Sequence, residues 1–344
     1  MDWSARRRLD SSILDTVGLT PLVRLSRVTR GVAPTVCAKI EYFSPTGSVK
    51  DRILPYIVQR AEERGELRPG MMLIEGTSGN TGIAVAMVGV LKGYPVIIVM
   101  PDGMSQERKQ TILAYGAQLV LTPGGETDID LVLDKVAEIK RQRPGQMFEI
   151  GQFVNQDNAE AHYLSTGPEI WDQTAGEVSA LVVAPGSGGT LAGTGRYLKE
   201  RNPAVRVFAV EPEECAVIAG GHWGAHRIEG IGDGFIPEVL DVGVLDGAVT
   251  VSSEEAVEMS RRLAREEGIF CGLSSGCNVA GALKVARAFP DLGLVVTMIN
   301  DNGLRYLSTE LCGPRTELAV PDRVAPEKPA GCERLAGKKL VVIS

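Results

Sequence analysis

A short apolar, β-branched run, then a glycine-bearing turn, then a helical stretch: this unit repeats along the chain and limits the fold more than any other feature. The runs are 36–40, 71–74, 96–100, 118–121, 181–184, 205–210 and 294–299. Several are apolar almost throughout, as parallel strands covered on both faces are. Between them the spacing predicts helices over 83–91, 106–115, 130–141, 159–173, 191–200 and 278–288. Another helix follows Val249–Val251. There Ser252 and Glu255 fit a capping box, Ala256, Met259 and Leu263 share one face, and Gly268 marks the stop. Such alternation predicts right-handed βαβ units and an α/β fold with open, mostly parallel sheets. At 344 residues a single core is strained, and βα units on both sides of Gly151 suit two lobes.

Composition removes several function classes. Thirty-six Lys and Arg against 43 Asp and Glu leave a formal charge of −7, and the isoelectric point of about 5.3 argues against a nucleic-acid partner. No apolar run reaches the ~18 residues that span a bilayer. The amino terminus carries basic residues without an apolar stretch behind them, so no secretory signal is visible and the expected location is cytoplasmic. Cys37, Cys215, Cys271, Cys277, Cys312 and Cys332 form no CxxC pair and read as reduced thiols. His162, His222 and His226 are too scattered for a metal site. Beyond 313 the chain turns proline-rich and charged (Pro314, Pro321, Pro326, Pro329), which predicts an extended tail over 314–344.

Glycine is the residue in excess: 40 of 344, about 12% against a usual ~7%. Three clusters are read as sitting where a strand ends. Thr77-Ser78-Gly79-Asn80-Thr81-Gly82 points backbone N–H groups and hydroxyls at whatever lies above the sheet, and suits a carboxylate or a phenolic oxygen. Gly186-Ser187-Gly188-Gly189-Thr190 has the composition of a phosphate cradle, while lacking the GK[ST] of a nucleotide-binding loop and the spacing of a dinucleotide turn. Gly272-Leu273-Ser274-Ser275-Gly276 opens a helix. Each, taken alone, also reads as an ordinary capped turn. A fourth stretch, Ser44 to Arg52, places Lys50 among turn residues at a helix start. A cation is disfavoured there, which lowers a lysine's pKa and makes it a better nucleophile toward a carbonyl. A lysine, a phosphate cradle and no nucleotide motif together suggest pyridoxal 5′-phosphate, which needs a Schiff-base lysine, a phosphate site and a partner for its ring nitrogen.

With these motifs in order, from Asp15-Thr-Val-Gly-Leu-Thr-Pro-Leu-Val23 to Arg305-Tyr-Leu-Ser-Thr309, the chain resembles the cysteine synthase/cystathionine β-synthase group of pyridoxal-phosphate enzymes. The resemblance implies the tryptophan-synthase-β-like fold, known as fold type II of these enzymes. It also implies a smaller, mobile domain over 48–158 and a larger cofactor-binding domain of 12–47 plus 159–313.

Carried onto this sequence, it implies that Lys50 forms the internal aldimine and then removes the substrate Cα proton. Asn80 would bond the cofactor's 3′-oxygen. Thr77, Ser78, Gly79, Thr81 and Gln152 would hold the substrate, gripping its α-carboxylate. Gly186, Ser187, Gly188, Gly189 and Thr190 would cradle the phosphate, and Ser274 would face the pyridine nitrogen. A neutral serine leaves that nitrogen largely unprotonated, which favours loss of a β-substituent and attack on an α-aminoacrylate over transamination. The implied activity is therefore β-replacement: O-acetyl-L-serine, or another activated serine, plus sulfide gives L-cysteine. Alternatives are condensation of serine with homocysteine, β-replacement with another nucleophile such as ammonia giving 2,3-diaminopropionate, and a role in binding a partner such as serine acetyltransferase. Glu75-Gly76 resembles the cystathionine β-synthases, whereas Glu211-Pro212 and the segment from Ile228 to Pro237 resemble the cysteine synthases. The family default is a homodimer.

Overall fold

The computed structural model describes residues 9–125, 128–220 and 222–312. The tail expected over 314–344, and Cys332 with it, lie outside the described residues. The chain runs β1 (Leu22–Arg24), β2 (Thr35–Ile40), α1 (Ile53–Glu63), β3 (Met72–Gly76), α2 (Asn80–Lys92), β4 (Val96–Pro101), α3 (Gln106–Ala114) and β5 (Gln118–Thr122). It continues α4 (Ile129–Gln142), β6 (Met147–Glu149), α5 (Asp157–Leu164), α6 (Thr166–Gln173), β7 (Val178–Val183), α7 (Gly189–Arg201) and β8 (Arg206–Pro212). The last elements are β9 (Gly247–Val251), α8 (Ser253–Arg262), α9 (Leu273–Ala288) and β10 (Leu294–Ile299).

The strands form two sheets, β5-β4-β3-β6 and β1-β2-β10-β7-β8-β9. Every pairing is parallel except β1 with β2 at one edge. Successive side chains of a strand point to opposite faces, and both faces here are covered. In the six-stranded sheet Ala180, Val182, Phe208 and Val210 pack with α8 and α9 residues such as Val257 and Leu283. The intervening Leu181, Val183, Val207 and Ala209 pack on the other face with Ile170 and Leu191. The smaller sheet repeats the scheme. Leu73, Ile98 and Met100 face α1 and α2, and Ile74, Ile97 and Val99 face α4 through Val132 and Val136. That double coverage is why the strands read as unbroken apolar runs. No helix among the described residues is long and apolar enough to cross a membrane.

Three expectations need correction. The helix expected over 159–173 is two helices meeting at Ser165, which sits at φ −125°. Pro168 explains the break, since its ring clashes with the carbonyl four residues back, at Leu164, and has no N–H to give it; Ser165 Oγ turns back onto the Ala161 carbonyl at 2.6 Å. The helix expected from 278 starts at Leu273, so Ser274 and Ser275 lie in its first turn. The third glycine cluster also follows no strand. An isolated bridge, Cys271 to Asn302, precedes it; only residues 269–271 separate the cluster from the left-handed Gly268 (φ +71°) that ends the preceding π-helical stretch, too few for a strand of ordinary length. The capping box at Ser252 and Glu255 forms with both of its hydrogen bonds.

Candidate active site

Lys50 sits in a 3₁₀ turn, Val49–Arg52, that runs into α1. The turn is fixed from beneath by ions. Arg52 is hydrogen-bonded to Glu41 at 2.5 Å and to Glu169 at 2.8 Å, and Lys39 reaches Glu169 at 2.6 Å. Burial pushes the Glu169 carboxyl up, but Arg52 and Lys39 outweigh it and hold the group down to about 2. Buried charges persist in this way only when paired.

Two loops leave the carboxyl ends of the sheets beside this turn. Residues 77–79 join β3 to α2, and residues 184–188 join β7 to α7. Neither helix start has a side-chain cap, so their first N–H groups remain available to an anion. Lys50, Thr77, Ser78, Asn80, Thr81, Gln152, Gly186, Ser187, Gly188, Thr190 and Ser274 all line one cleft. Gly79 and Gly189 stand behind that lining. Gly79 takes φ +156°, and a Cβ there would meet Arg108 Cδ at 2.1 Å; a Cβ on Gly189 would meet Asn158 Oδ1 at 2.0 Å. Both turns need the missing side chain in order to close up.

The polar partners define what each group can offer. Thr81 donates its hydroxyl proton to Gln152 Oε1 at 2.6 Å, and the Gln152 amide nitrogen donates to the Gly76 carbonyl at 3.4 Å, so the Gln152 carboxamide is held in place at both ends. Asn158 Nδ2 donates to Ser187 Oγ at 3.0 Å and to the Gln152 carbonyl at 2.8 Å, leaving the Ser187 proton for a ligand. Thr190 Oγ1 lies 3.1 Å from His162 Nε2, whose Nδ1 lies 2.8 Å from Thr166 Oγ1. Burial, with Arg52 and Lys50 nearby, lowers the His162 pKa well below its usual value, so the imidazole is neutral. Asn300 Nδ2 donates to Ser274 Oγ at 3.2 Å, so the Ser274 hydroxyl is a donor toward the cleft. Cys271 and Cys277, on either side of Ser274, are fully buried, and burial pushes both thiols up.

Several lining or supporting residues escaped the sequence reading. Asn158 and His162 are two polar residues one turn apart on α5, a spacing that could have singled them out. Asp233 lines the cleft; burial pushes its carboxyl up to about 6 while Lys50 draws it down. Glu75 is buried at the end of β3, accepts the Gly151 and Gln152 N–H groups at 2.8 and 3.2 Å, and is pushed up to about 8 by burial against those two bonds. Among the described residues no group of three or more His, Cys, Asp or Glu is placed to hold a metal ion.

The donor set suits a phosphorylated pyridine aldehyde: an uncapped helix start with two hydroxyls, a lysine, and a neutral hydroxyl donor. The family model for pyridoxal-phosphate-dependent enzymes matches residues 13–301. This chain belongs to the pyridoxal-phosphate-dependent enzyme family. Within that family it is similar to the cysteine synthase of Staphylococcus aureus, 43% identical over 308 residues that cover 89% of this chain and 98% of the relative. Among solved structures, the cysteine synthase of Entamoeba histolytica matches with a TM-score of 0.85 and 41% identity, covering 91% of this chain and 94% of that one. An O-ureido-L-serine synthase, solved with O-ureido-L-serine bound, matches with a TM-score of 0.86 and 42% identity over 91% of this chain and 96% of that one. This enzyme therefore has the two-sheet architecture of fold type II.

Proposed function

We propose that this enzyme makes L-cysteine by β-replacement, exchanging the activated hydroxyl of O-acetyl-L-serine, or of another activated serine, for sulfide. The observation that carries the reading is the convergence of Lys50, the uncapped helix start at Gly189 and the donor Ser274 on one cleft. Gly186, Ser187, Gly188, Gly189 and Thr190 hold the cofactor phosphate. Asn80 bonds the phenolic oxygen, and Ser274 donates to the ring nitrogen. When bound, the cofactor supplies an electron-accepting ring conjugated to the substrate amine. Lys50 holds the cofactor and then takes the Cα proton at its Nζ. Thr77, Ser78, Thr81 and Gln152 grip the α-carboxylate, with Gly79 shaping their turn. A neutral donor at the ring nitrogen limits how much negative charge the ring can hold, which favours expulsion of the β-substituent. Residues 48–158 act as the smaller, mobile domain against 12–47 plus 159–313. The working form is a homodimer in the cytoplasm, with serine acetyltransferase as candidate partner.

O-Acetylserine with sulfide, serine with homocysteine, and O-acetylserine with ammonia, each given to the holoenzyme, test the reading. Product formation fastest in the first mixture, as L-cysteine, supports it; no turnover of O-acetylserine or another activated serine with sulfide ends it. Lys50→Ala is expected to lower kcat by more than ~10³-fold, through loss of both nucleophile and base. One observation favours a second reading. The Asp233 carboxylate in the cleft is able to take a proton from a neutral nucleophile and repels an anionic one, which suits a nucleophile other than hydrosulfide.

A further inference from the structure

Asn80 is held at both ends of its carboxamide by residues from the other sheet's side of the molecule. Its Oδ1 accepts from Arg305, and its Nδ2 donates to Asp301 Oδ2 at 2.7 Å. Asp301 follows β10, is fully buried, and takes a second hydrogen bond on the same oxygen from the Tyr306 hydroxyl at 2.8 Å. Arg108 lies 3.8 Å from that carboxylate. The second arm of the Arg305 guanidinium donates to the Thr46 carbonyl, in the segment that leads to Lys50.

This arrangement settles which way the amide faces. Arginine only donates and a carboxylate only accepts. A flipped Asn80 would set its NH₂ against the Arg305 guanidinium and its oxygen against the Asp301 carboxylate, repulsive at both ends. Buried charge-assisted bonds are the strong ones, and a flip would break two of them at once. The carboxamide has one orientation, with one N–H on Asp301 and the other remaining. We propose that Asp301 and Arg305 are a positioning pair, locking Asn80 so that its remaining N–H meets the phenolic oxygen of the cofactor.

The inference rests on the role given to Asn80 above, and the test separates the two. Visible absorption and the apparent dissociation constant of the cofactor are measured for the parent holoenzyme, Asn80→Ala, Asp301→Asn and the double variant. Asp301→Asn is expected to shift the absorption band and raise the dissociation constant about tenfold, with almost no further change when added to Asn80→Ala. Equal effects of Asp301→Asn with and without the Asn80 carboxamide would mean a purely structural role and overturn the pair. An effect of Asn80→Ala with none from Asp301→Asn overturns it too. Silence of Asn80→Ala itself removes the role of Asn80 and the inference together, while leaving the lysine and phosphate assignments standing. If Asp301→Asn does not fold, Arg305→Met, which frees the opposite end of the amide, reads the same comparison against Asn80→Ala.

Discussion

The turns at 77–82 and 185–190 share a plan and differ in what stands behind them. Each carries a parallel strand into a helix whose start has no side-chain cap. Behind the first stand ions: Arg108 paired with Glu229, stacked at 4.4 Å over the Tyr306 ring, and flanked by Asp301 and Arg305. Behind the second stand Asn158, His162 and Thr166, a neutral set. The difference fits the ligand proposed for each loop. A phosphate brings its own charge, and dipoles already aimed at it suffice. The first loop, on the proposed assignment, has also to hold the neutral Asn80 amide in one orientation, and opposed charges do that more firmly than hydroxyls.

The contrast is testable by substitution on each side. Arg108→Met leaves Glu229 without its buried partner and is expected to cost about 3–5 kcal/mol, read as a lowered denaturant midpoint. Asn158→Ala, behind the neutral loop, is expected to cost about 1–3 kcal/mol and to weaken cofactor binding by releasing Ser187. Equal losses from the two would break the comparison. The third test is titration. Glu75 has its folded pKa at about 8, above the ordinary 4.5. Between those values the folded state holds a proton that the unfolded state has lost, so stability falls as pH rises from about 4.5 to about 8. One such group gives a slope of at most about 1.4 kcal/mol per pH unit. Melting curves of Glu75→Gln should show that slope reduced, whatever the constant offset from its altered hydrogen bonds. The smallest effect concerns salt. Cofactor affinity is expected to change by no more than about threefold up to ~0.5 M salt, because contacts inside the cleft are screened little. A steep salt dependence would show that distant cations, not the neutral cradle, hold the phosphate.

The sequence made the strands legible because parallel, doubly covered strands leave an apolar run that needs no partner to be recognised. The two loops were legible because glycine and hydroxyl residues concentrate where backbone must approach a ligand. Other features depend on residues far apart in the chain. Asp301 and Arg305 reach Asn80 across more than 220 positions, and no local pattern announces such a pair. Asp233 looks like any loop carboxylate until the fold sets it in the cleft. The break between α5 and α6 was locally encoded by Pro168, yet the helical spacing on both sides of it is regular enough to hide the interruption.

The enclosure of Cys271 and Cys277 has a chemical consequence for an enzyme proposed to release a free thiol. Thiol–disulfide exchange begins with a thiolate that a partner can reach. Two sulfurs kept protonated and out of contact with solvent beside Ser274 cannot trade partners with the product, nor be capped by it when conditions turn oxidising. Cys312 is the exposed thiol among the described residues. An alkylating reagent added to the folded protein should label it well before the enclosed pair.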